Sequence, residues 1–473
     1  MSERRTESLN ARREFQTPAW HLPGYDGNGE LPTARRDVPG EPAAPRLSDA
    51  QAATVSRTVR AAALRARGER SFREVVGAVS RAALRLVDPD DPLGMEATLH
   101  LQQHLGWSET AARESLRGMA REWTEDALLA LVDSELGDSR LLDRFIDDPG
   151  RPGRRRRAAG PPLLLQVHAG NVPGVPVSAA ILALLARSGV LAKSGSDEPW
   201  LLPLFARALS DEDELLGSSL AVTWWPGDSE PPALHLWAKE SGKAVIYGGD
   251  AAVGALRRRI PADTELIVYG PRIGLVIFLP DASKEDPARL AADALAYDQR
   301  GCVSPRLVLS VSSNPLELAH PIAREIAAEA ERLGPYSVSD VDAVAIRRAR
   351  AACEFEGIAD GSSLVLGPPD LAWTVLARSR SDVSAETIPR TIWLYGADEI
   401  GNLEELLQPL AGRIQAIGVA GRDGLKELTE LATRLGVSRI CPVGTLAWPP
   451  PDWRHEGRLR LIPLLDWTDW ESP

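Results

Sequence analysis

Apolar side chains recur at roughly helical spacing through Phe72, Val75, Val76, Val79, Leu84 and Leu86, and the run stops at Asp88-Pro89, predicting an amphipathic helix. A second helix is expected to open at Thr124, with Glu125 and Asp126 in its first turn, and to end near Gly137. After residue 160 the period changes. Short strand-like runs at 163–167, 190–193, 220–224, 243–247 and 265–269 alternate with helical stretches at 175–188 and 199–209. Such alternation predicts βαβ units and a parallel sheet covered by helices on both faces. A second α/β block follows, with strands expected at 275–279 and 307–311, a helix at 315–333 and further alternation over 391–440. The end, WRHEGRLRLIPLLDWTDWE, mixes polar and apolar positions with several Trp, as in a strand or arm packed on another domain or subunit. No internal repeat is evident.

Composition narrows the classes. At 473 residues with 44% hydrophobic content, the chain can build more than one core. Residues 1–45 are rich in Pro, Arg, Glu and Gly and poor in apolar side chains, so a disordered tail is expected there. No apolar run is long enough for a membrane span, and the start lacks the apolar core of a secretory signal, so a cytoplasmic protein is expected. Cys302, Cys353 and Cys441 are odd in number and widely spread, as free thiols in a reducing compartment would be. A net charge of -12 disfavours nucleic acid as a partner. The basic run at 154–157, between Pro152 and Pro161, reads as a solvated linker.

In parallel sheets ligands gather beyond the carboxyl ends of the strands. Here those positions carry AGNVPG (169–174), KSGSD (193–197), WPGD (225–228) and YGGD (247–250), consistent with a nucleotide crevice. The segment YDQRGCVSPR (297–306) places Cys302 beside a glycine between a helix and a strand, where free backbone amides can face a substrate oxygen. A thioester-forming nucleophile needs that arrangement. Taken alone, a single cysteine is more often a small buried hydrophobe.

HAGNVPG (168–174), LAKSGSDEP (191–199), WWPGD (224–228), YGGD (247–250), YDQRGCVSPR (297–306) and HEG (455–457) stand together in one order. Over residues 160–470 this set resembles the LuxC-type acyl-CoA reductases, a branch of the aldehyde dehydrogenase superfamily. The resemblance implies an α/β aldehyde dehydrogenase-like fold: a helical N-terminal region (46–160), a Rossmann-type NADP-binding domain (161–272), an α/β catalytic domain (273–445) and a C-terminal arm (446–473) that returns to the cofactor domain or a partner subunit. It implies Cys302 as nucleophile, Asn171 and the Cys302 backbone N–H as oxyanion donors, and Lys193, Ser196, Gly227, Gly248 and Gly249 along the cofactor. Ser196 stands where NAD-preferring members carry a glutamate that would repel a 2′-phosphate, which favours NADPH. The implied partners are acyl-CoA or an acylated protein, an acyl-protein synthetase, and further copies of the chain in a homo-oligomer.

One departure matters most. Hydrolytic members carry a glutamate about 34 residues before the cysteine to activate water, but the chain reads IVYGPR (267–272) there. Without that base an acyl-enzyme persists until hydride or a thiol resolves it. Glu265 is the rival carboxylate. His455 takes part in the resemblance without an assigned role. His100 and His104 are spaced i, i+4 as in a zinc site, but no third ligand is apparent and no metal is expected. The reading is NADPH-dependent reduction of a long-chain acyl-CoA to the fatty aldehyde through a thioester on Cys302. The alternatives are an aldehyde dehydrogenase that makes acids, and a noncatalytic member that binds acyl groups or a partner.

Overall fold

The computed structural model describes residues 18–25, 33–34, 44–225, 231–379, 383 and 387–471. Its N-terminal helices start where the sequence supplies caps. Ser48 with Gln51 and Ser71 with Glu74 form reciprocal capping boxes ahead of Asp49–Glu69 and Phe72–Arg85. Asp91 caps Pro92–Leu105, and Thr124 caps Glu125–Leu136, which Gly137 closes in the left-handed region. Each cap contributes about 1 kcal/mol by satisfying orphan N–H groups. Phe72, Val75, Val76 and Val79 are buried, as their periodicity requires.

Leu163–Val167, Gly189–Lys193, Leu220–Thr223, Lys243–Tyr247 and Glu265–Tyr269 form one fully parallel sheet. The chain steps outward from Leu163–Val167 to Leu220–Thr223, then returns to the opposite side of the first strand. Strand order therefore reverses between Leu163–Val167 and Lys243–Tyr247, and a crevice opens beyond their carboxyl ends. Alternation along the strands divides the packing: Leu163 and Leu165 meet Val55 and Val59 of Asp49–Glu69 on one face. On the other, Leu164 and Val190 meet Val177 and Ile181 of Val175–Leu185.

The second sheet has seven strands in the order Ser363–Leu366, Thr374–Arg378, Thr391–Ala397, Pro305–Val311, Ile273–Phe278, Ile414–Ala420 and Arg439–Pro442. Only Ser363–Leu366 runs antiparallel. Pro305–Val311, the strand that follows Cys302, lies at its centre, with apolar clusters on both faces. No helix among the described residues is long and apolar enough to cross a membrane.

Two expectations fail. The arginine run at 154–157 is not a linker but part of the strand Arg154–Ala159, paired antiparallel with Asp466–Glu471 and Ile146–Asp147. Arg154 bonds Asp469, Arg155 bonds Asp147 at 2.8 Å, and the Arg155 and Arg156 guanidinium groups lie over Trp470 and Trp467. Opposite charge and cation–π contact across the strands neutralise what looked like a solvated tract. The second failure concerns the tail. Residues 18–25 pack on the five-stranded parallel sheet: His21 exchanges two backbone hydrogen bonds with Val222, at 2.9 and 2.7 Å, and Leu22 is fully buried. The segment protects the sheet's edge strand. The rest of the expected tail lies mostly outside the described residues.

Leu22→Ala is expected to remove about 2–4 kcal/mol, as for other buried leucines. An unchanged apparent Tm at fixed scan rate would show that residues 18–25 do not hold this edge.

Candidate active site

Cys302 is delivered by an unusual piece of backbone. After the helix Asp286–Leu295, three consecutive residues that are not glycine, Tyr297 (φ 52), Asp298 (φ 57) and Gln299 (φ 57), occupy the left-handed region. Each costs about 1–2 kcal/mol for an L-residue. The turn persists because its side chains are clamped. Asp298 bonds the Arg390 guanidinium, and both groups are buried. Gln299 Nε2 donates to the carbonyls of Pro305 (2.8 Å) and Thr391 (3.0 Å), and its Oε1 accepts from Thr391 N (2.9 Å). Arg306 donates to the Gln299 carbonyl at 2.7 Å. The turn is thereby tied to the start of two neighbouring strands. It also runs so close to Ile273–Phe278 that a Cβ on Gly274 would lie 2.2 Å from the Val303 carbonyl oxygen, which requires glycine there.

Cys302 is partly exposed as a residue and lies on the wall of a cavity of about 120 Å³. Its Sγ lies 3.9 Å from His455 Nε2. Dense surrounding protein pushes the thiol up to about 12, with the Glu456 charge adding to the effect. Burial lowers His455 to about 3, assisted by the positive charges of Arg460, Arg272 and Arg458. At neutral pH the pair is therefore an uncharged thiol beside an uncharged imidazole. The imidazole is held by stacking on Tyr269 (4.5 Å, 13°) and Trp453 (4.9 Å, 26°). Tyr269 stacks in turn on Tyr247 (4.8 Å), and Tyr247 on His168 (5.3 Å). A ladder of five rings thus links the ends of the cofactor-sheet strands to the thiol. Neither the ladder nor the role of His455 in it was foreseen; the aromatic residues that close two successive strands, Tyr247 and Tyr269, were the available signal.

Asn171 follows the first strand of that sheet, and its Nδ2 donates to the Arg300 carbonyl at 3.1 Å, two residues before Cys302. The two sequence-derived candidates are thus brought together across the sheets. Glu265 is not: it begins its strand, is exposed and bonds Lys243 at 2.7 Å. With about 3.3 Å of rise per residue, it stands at the strand end remote from the crevice, which removes it as a rival base. Glu456 was missed. With its backbone left-handed (φ 51), it turns its carboxylate inward to accept from Gly270 N (2.8 Å) and Arg272 Nη2 (2.9 Å). A carboxylate from the far end of the chain thus reaches the segment 267–272, where the sequence shows none, but arrives tied on both oxygens.

Lys193 ends its strand in the crevice. Its side chain is buried, with no hydrogen bond or ion pair among the described residues, and burial pulls the ammonium down to about 8 against the opposing charge of Asp197. The adjacent Ser194 hydroxyl is buried without a partner. Beside them, a Cβ on Gly195 would lie 2.3 Å from the Gly170 Cα, so the turns after two adjacent strands touch. Ser196 is exposed, with its Oγ 3.5 Å from the Trp225 carbonyl. Gly248 N donates to the Tyr269 carbonyl, and Gly249 precedes the helix Asp250–Arg257 over open space. Gly227 lies outside the described residues. A buried ammonium without a hydrogen bond or ion pair at a strand-order reversal fits the ribose and phosphate oxygens of a dinucleotide.

His100 and His104 share a helix face and stack with Trp200, at 4.6 and 3.8 Å respectively. No group of three or more metal-binding side chains occurs among the described residues.

Comparison with known proteins agrees with this geometry. The family described as acyl-CoA reductase (LuxC) matches residues 68–467. A long-chain acyl-protein thioester reductase of Aliivibrio fischeri is 22% identical over 351 residues, 73% of this chain and 71% of the relative. A second, of Vibrio harveyi, is 21% identical over 374 residues, 78% of this chain and 76% of the relative. Among solved structures, a NAD-dependent benzaldehyde dehydrogenase from Corynebacterium glutamicum superposes with a TM-score of 0.70 at 16% identity, covering 96% of this chain and 98% of its own. An aldehyde dehydrogenase from Pseudomonas syringae, solved with NAD+ and octanal, gives 0.72 at 14% identity and covers 96% of each chain.

Gln299→Ala would remove three hydrogen bonds from the buried turn, including the partner of the Thr391 N–H. A loss of about 2–4 kcal/mol is expected, with slower alkylation of Cys302 by iodoacetamide. Unchanged stability and alkylation would show that the clamp does not set the turn.

Proposed function

The chain belongs to the acyl-CoA reductase (LuxC) family, and on that footing we propose that it reduces a fatty acyl thioester to the aldehyde through an acyl group held on Cys302. The observation that carries this reading is the Cys302–His455 contact of 3.9 Å at a largely apolar cavity, beside the crevice of the cofactor sheet. Met119, Val172, Val175, Leu182 and Leu464 supply apolar wall for an acyl chain.

Since neither partner is charged at rest, attack and proton transfer go together. As Cys302 Sγ bonds to the thioester carbonyl carbon, its proton passes to His455 Nε2. The oxyanion receives N–H groups from the Asn171 side chain and the Cys302 backbone; donors of this kind contribute about 3–4 kcal/mol in a dry site. Collapse breaks the bond to the donor's sulfur, which takes the proton from His455. Lys193 and Ser196 would hold the dinucleotide, with the Lys193 ammonium, which makes no ion pair, favouring the 2′-phosphate of NADPH. When bound, the nicotinamide would supply hydride to the acyl carbon. Breaking the C–Sγ bond then releases aldehyde and leaves the Cys302 thiolate, which takes a proton from solvent to restore the thiol. Hydrolysis to acid is disfavoured because the Glu456 carboxylate, already holding Gly270 N and Arg272, is not free to activate water. CoA and acylated protein share the thioester chemistry; the curated relatives are named for an acyl-protein thioester.

NADPH oxidation with octanoyl- to palmitoyl-CoA, and with the same acyl groups on a carrier protein, is expected to yield aldehyde without acid. Cys302→Ala should lower turnover at least about 1,000-fold, and His455→Ala about 100-fold. Acid as the main product, or full turnover in Cys302→Ala, would overturn this reading.

A second outcome follows from Lys193. Its charge is present below about pH 8 in the free protein and is lost as pH rises through that value, whereas a bound phosphate would keep it protonated. NADPH affinity should therefore be constant below pH 8 and fall about tenfold per unit above it. Fluorescence titration is expected to show this slope in the wild type and not in Lys193→Met.

A further inference from the structure

The cavity is not uniformly apolar. Arg460, whose side chain is only 10% exposed, lies on its wall and donates through Nη1 to Glu122 Oε2 at 2.7 Å and to the Pro451 carbonyl at 2.9 Å. The other oxygen of Glu122 accepts from Ser178 Oγ at 2.8 Å, and Ser178 accepts from Trp123 Nε1 at 2.8 Å. Glu122 is thus fully engaged, whereas Arg460 is not. A guanidinium carries five N–H donors. Those on Nε and Nη2 have no acceptor among the described residues, yet these nitrogens are not among the sealed, partnerless ones, so they keep accessible surface.

An ion pair that served only to join the end of the helix Glu109–Ala120 to the terminal loop would gain nothing from a place on an acyl cavity. Burial of such a pair is costly, and donors left without acceptors add to the cost. A ligand oxygen offered to those donors recovers it. The guanidinium also stands near the reacting end: its charge acts on His455, Tyr247 and Tyr269, and His455 touches the thiol. Glu122 already balances the Arg460 charge, so a neutral acceptor suits the position better than a second carboxylate, which would face Glu122.

We propose that Arg460, oriented by Glu122, forms a polar subsite that selects acyl chains bearing a neutral oxygen acceptor near the thioester, as in 3-oxoacyl or 3-hydroxyacyl groups, over unsubstituted chains. The proposal rests on the reading of this cavity as the acyl site, and deepens it by naming the substrate class.

The test is calorimetric, on the full-length Cys302→Ala protein, with octanoyl and 3-oxooctanoyl N-acetylcysteamine thioesters as probes. The 3-oxo probe is expected to bind about tenfold more tightly, the worth of one or two recovered hydrogen bonds. In Glu122→Gln/Arg460→Met, which removes both charges together and strands neither, the ratio should fall to near one. Equal binding of the two probes, binding of neither, or an unaltered ratio in the double variant overturns the subsite. Aldehyde production by the wild type, measured separately, decides the reductase reading: a tenfold binding ratio without turnover upholds the subsite while that reading fails.

Discussion

Three left-handed residues in a row, 297–299, are the constraint on which the site is built. Together they cost about 3–6 kcal/mol, and no regular helix-to-strand connection needs them. They swing the chain out of Asp286–Leu295 and set Cys302 beside the terminal loop rather than inside the sheet. Their strain is offset by a buried ion pair and by a glutamine that completes three hydrogen bonds. Because those anchors lie at Arg390 and Thr391, where the strand Thr391–Ala397 begins, the position of Cys302 is fixed by the register of the seven-stranded sheet. Strain stored at one turn is compatible with a unique structure only when its surroundings overdetermine it, as here.

The second dependency is long-range. Tyr247 and Tyr269 close two adjacent strands of the cofactor sheet, and their register (Tyr247 opposite Tyr269) places the rings one above the other. His455 and Trp453, from the terminal loop, extend the stack. Offset ring contacts of this kind contribute about 0.5–1.5 kcal/mol each beyond area burial. Their larger effect is orientation: an imidazole stacked on two flat faces can present only its edge to the thiol. Glu456 reinforces this by pinning the same loop to Gly270 and Arg272. The loop that carries His455 is thereby anchored to the end of the sheet where the crevice opens.

Much of this was legible in the sequence. The strands of the five-stranded sheet read correctly because short, mainly apolar runs of four to five residues, separated by helices, have few other folded solutions. Cys302, Asn171 and Lys193 stood out because each lies at or just beyond an element end, where ligands of parallel sheets gather. The misreadings share a cause. The arginines at 154–157 form a strand because Asp469 and the tryptophans 467 and 470 lie opposite them, more than 300 residues later. Leu22 is buried because an edge strand nearly 200 residues away needed cover. Glu456 was overlooked because the search for a base ran along the chain, whereas the carboxylate arrives through space. Local composition decides what a segment can do alone, but a strand or a buried charge is decided by its partner.

That principle bears on the proposed chemistry. Two enzymes with the same nucleophile and fold differ in outcome according to what meets the acyl group next. A carboxylate with a free oxygen activates water and gives acid. The carboxylate near Cys302 in this chain has one oxygen on a backbone amide and the other on a guanidinium, so releasing it to take a proton would break two charge-assisted bonds, each worth about 1.5–3 kcal/mol. In the proposed reaction, the contact that positions His455 therefore also protects the acyl group from water until hydride reaches it.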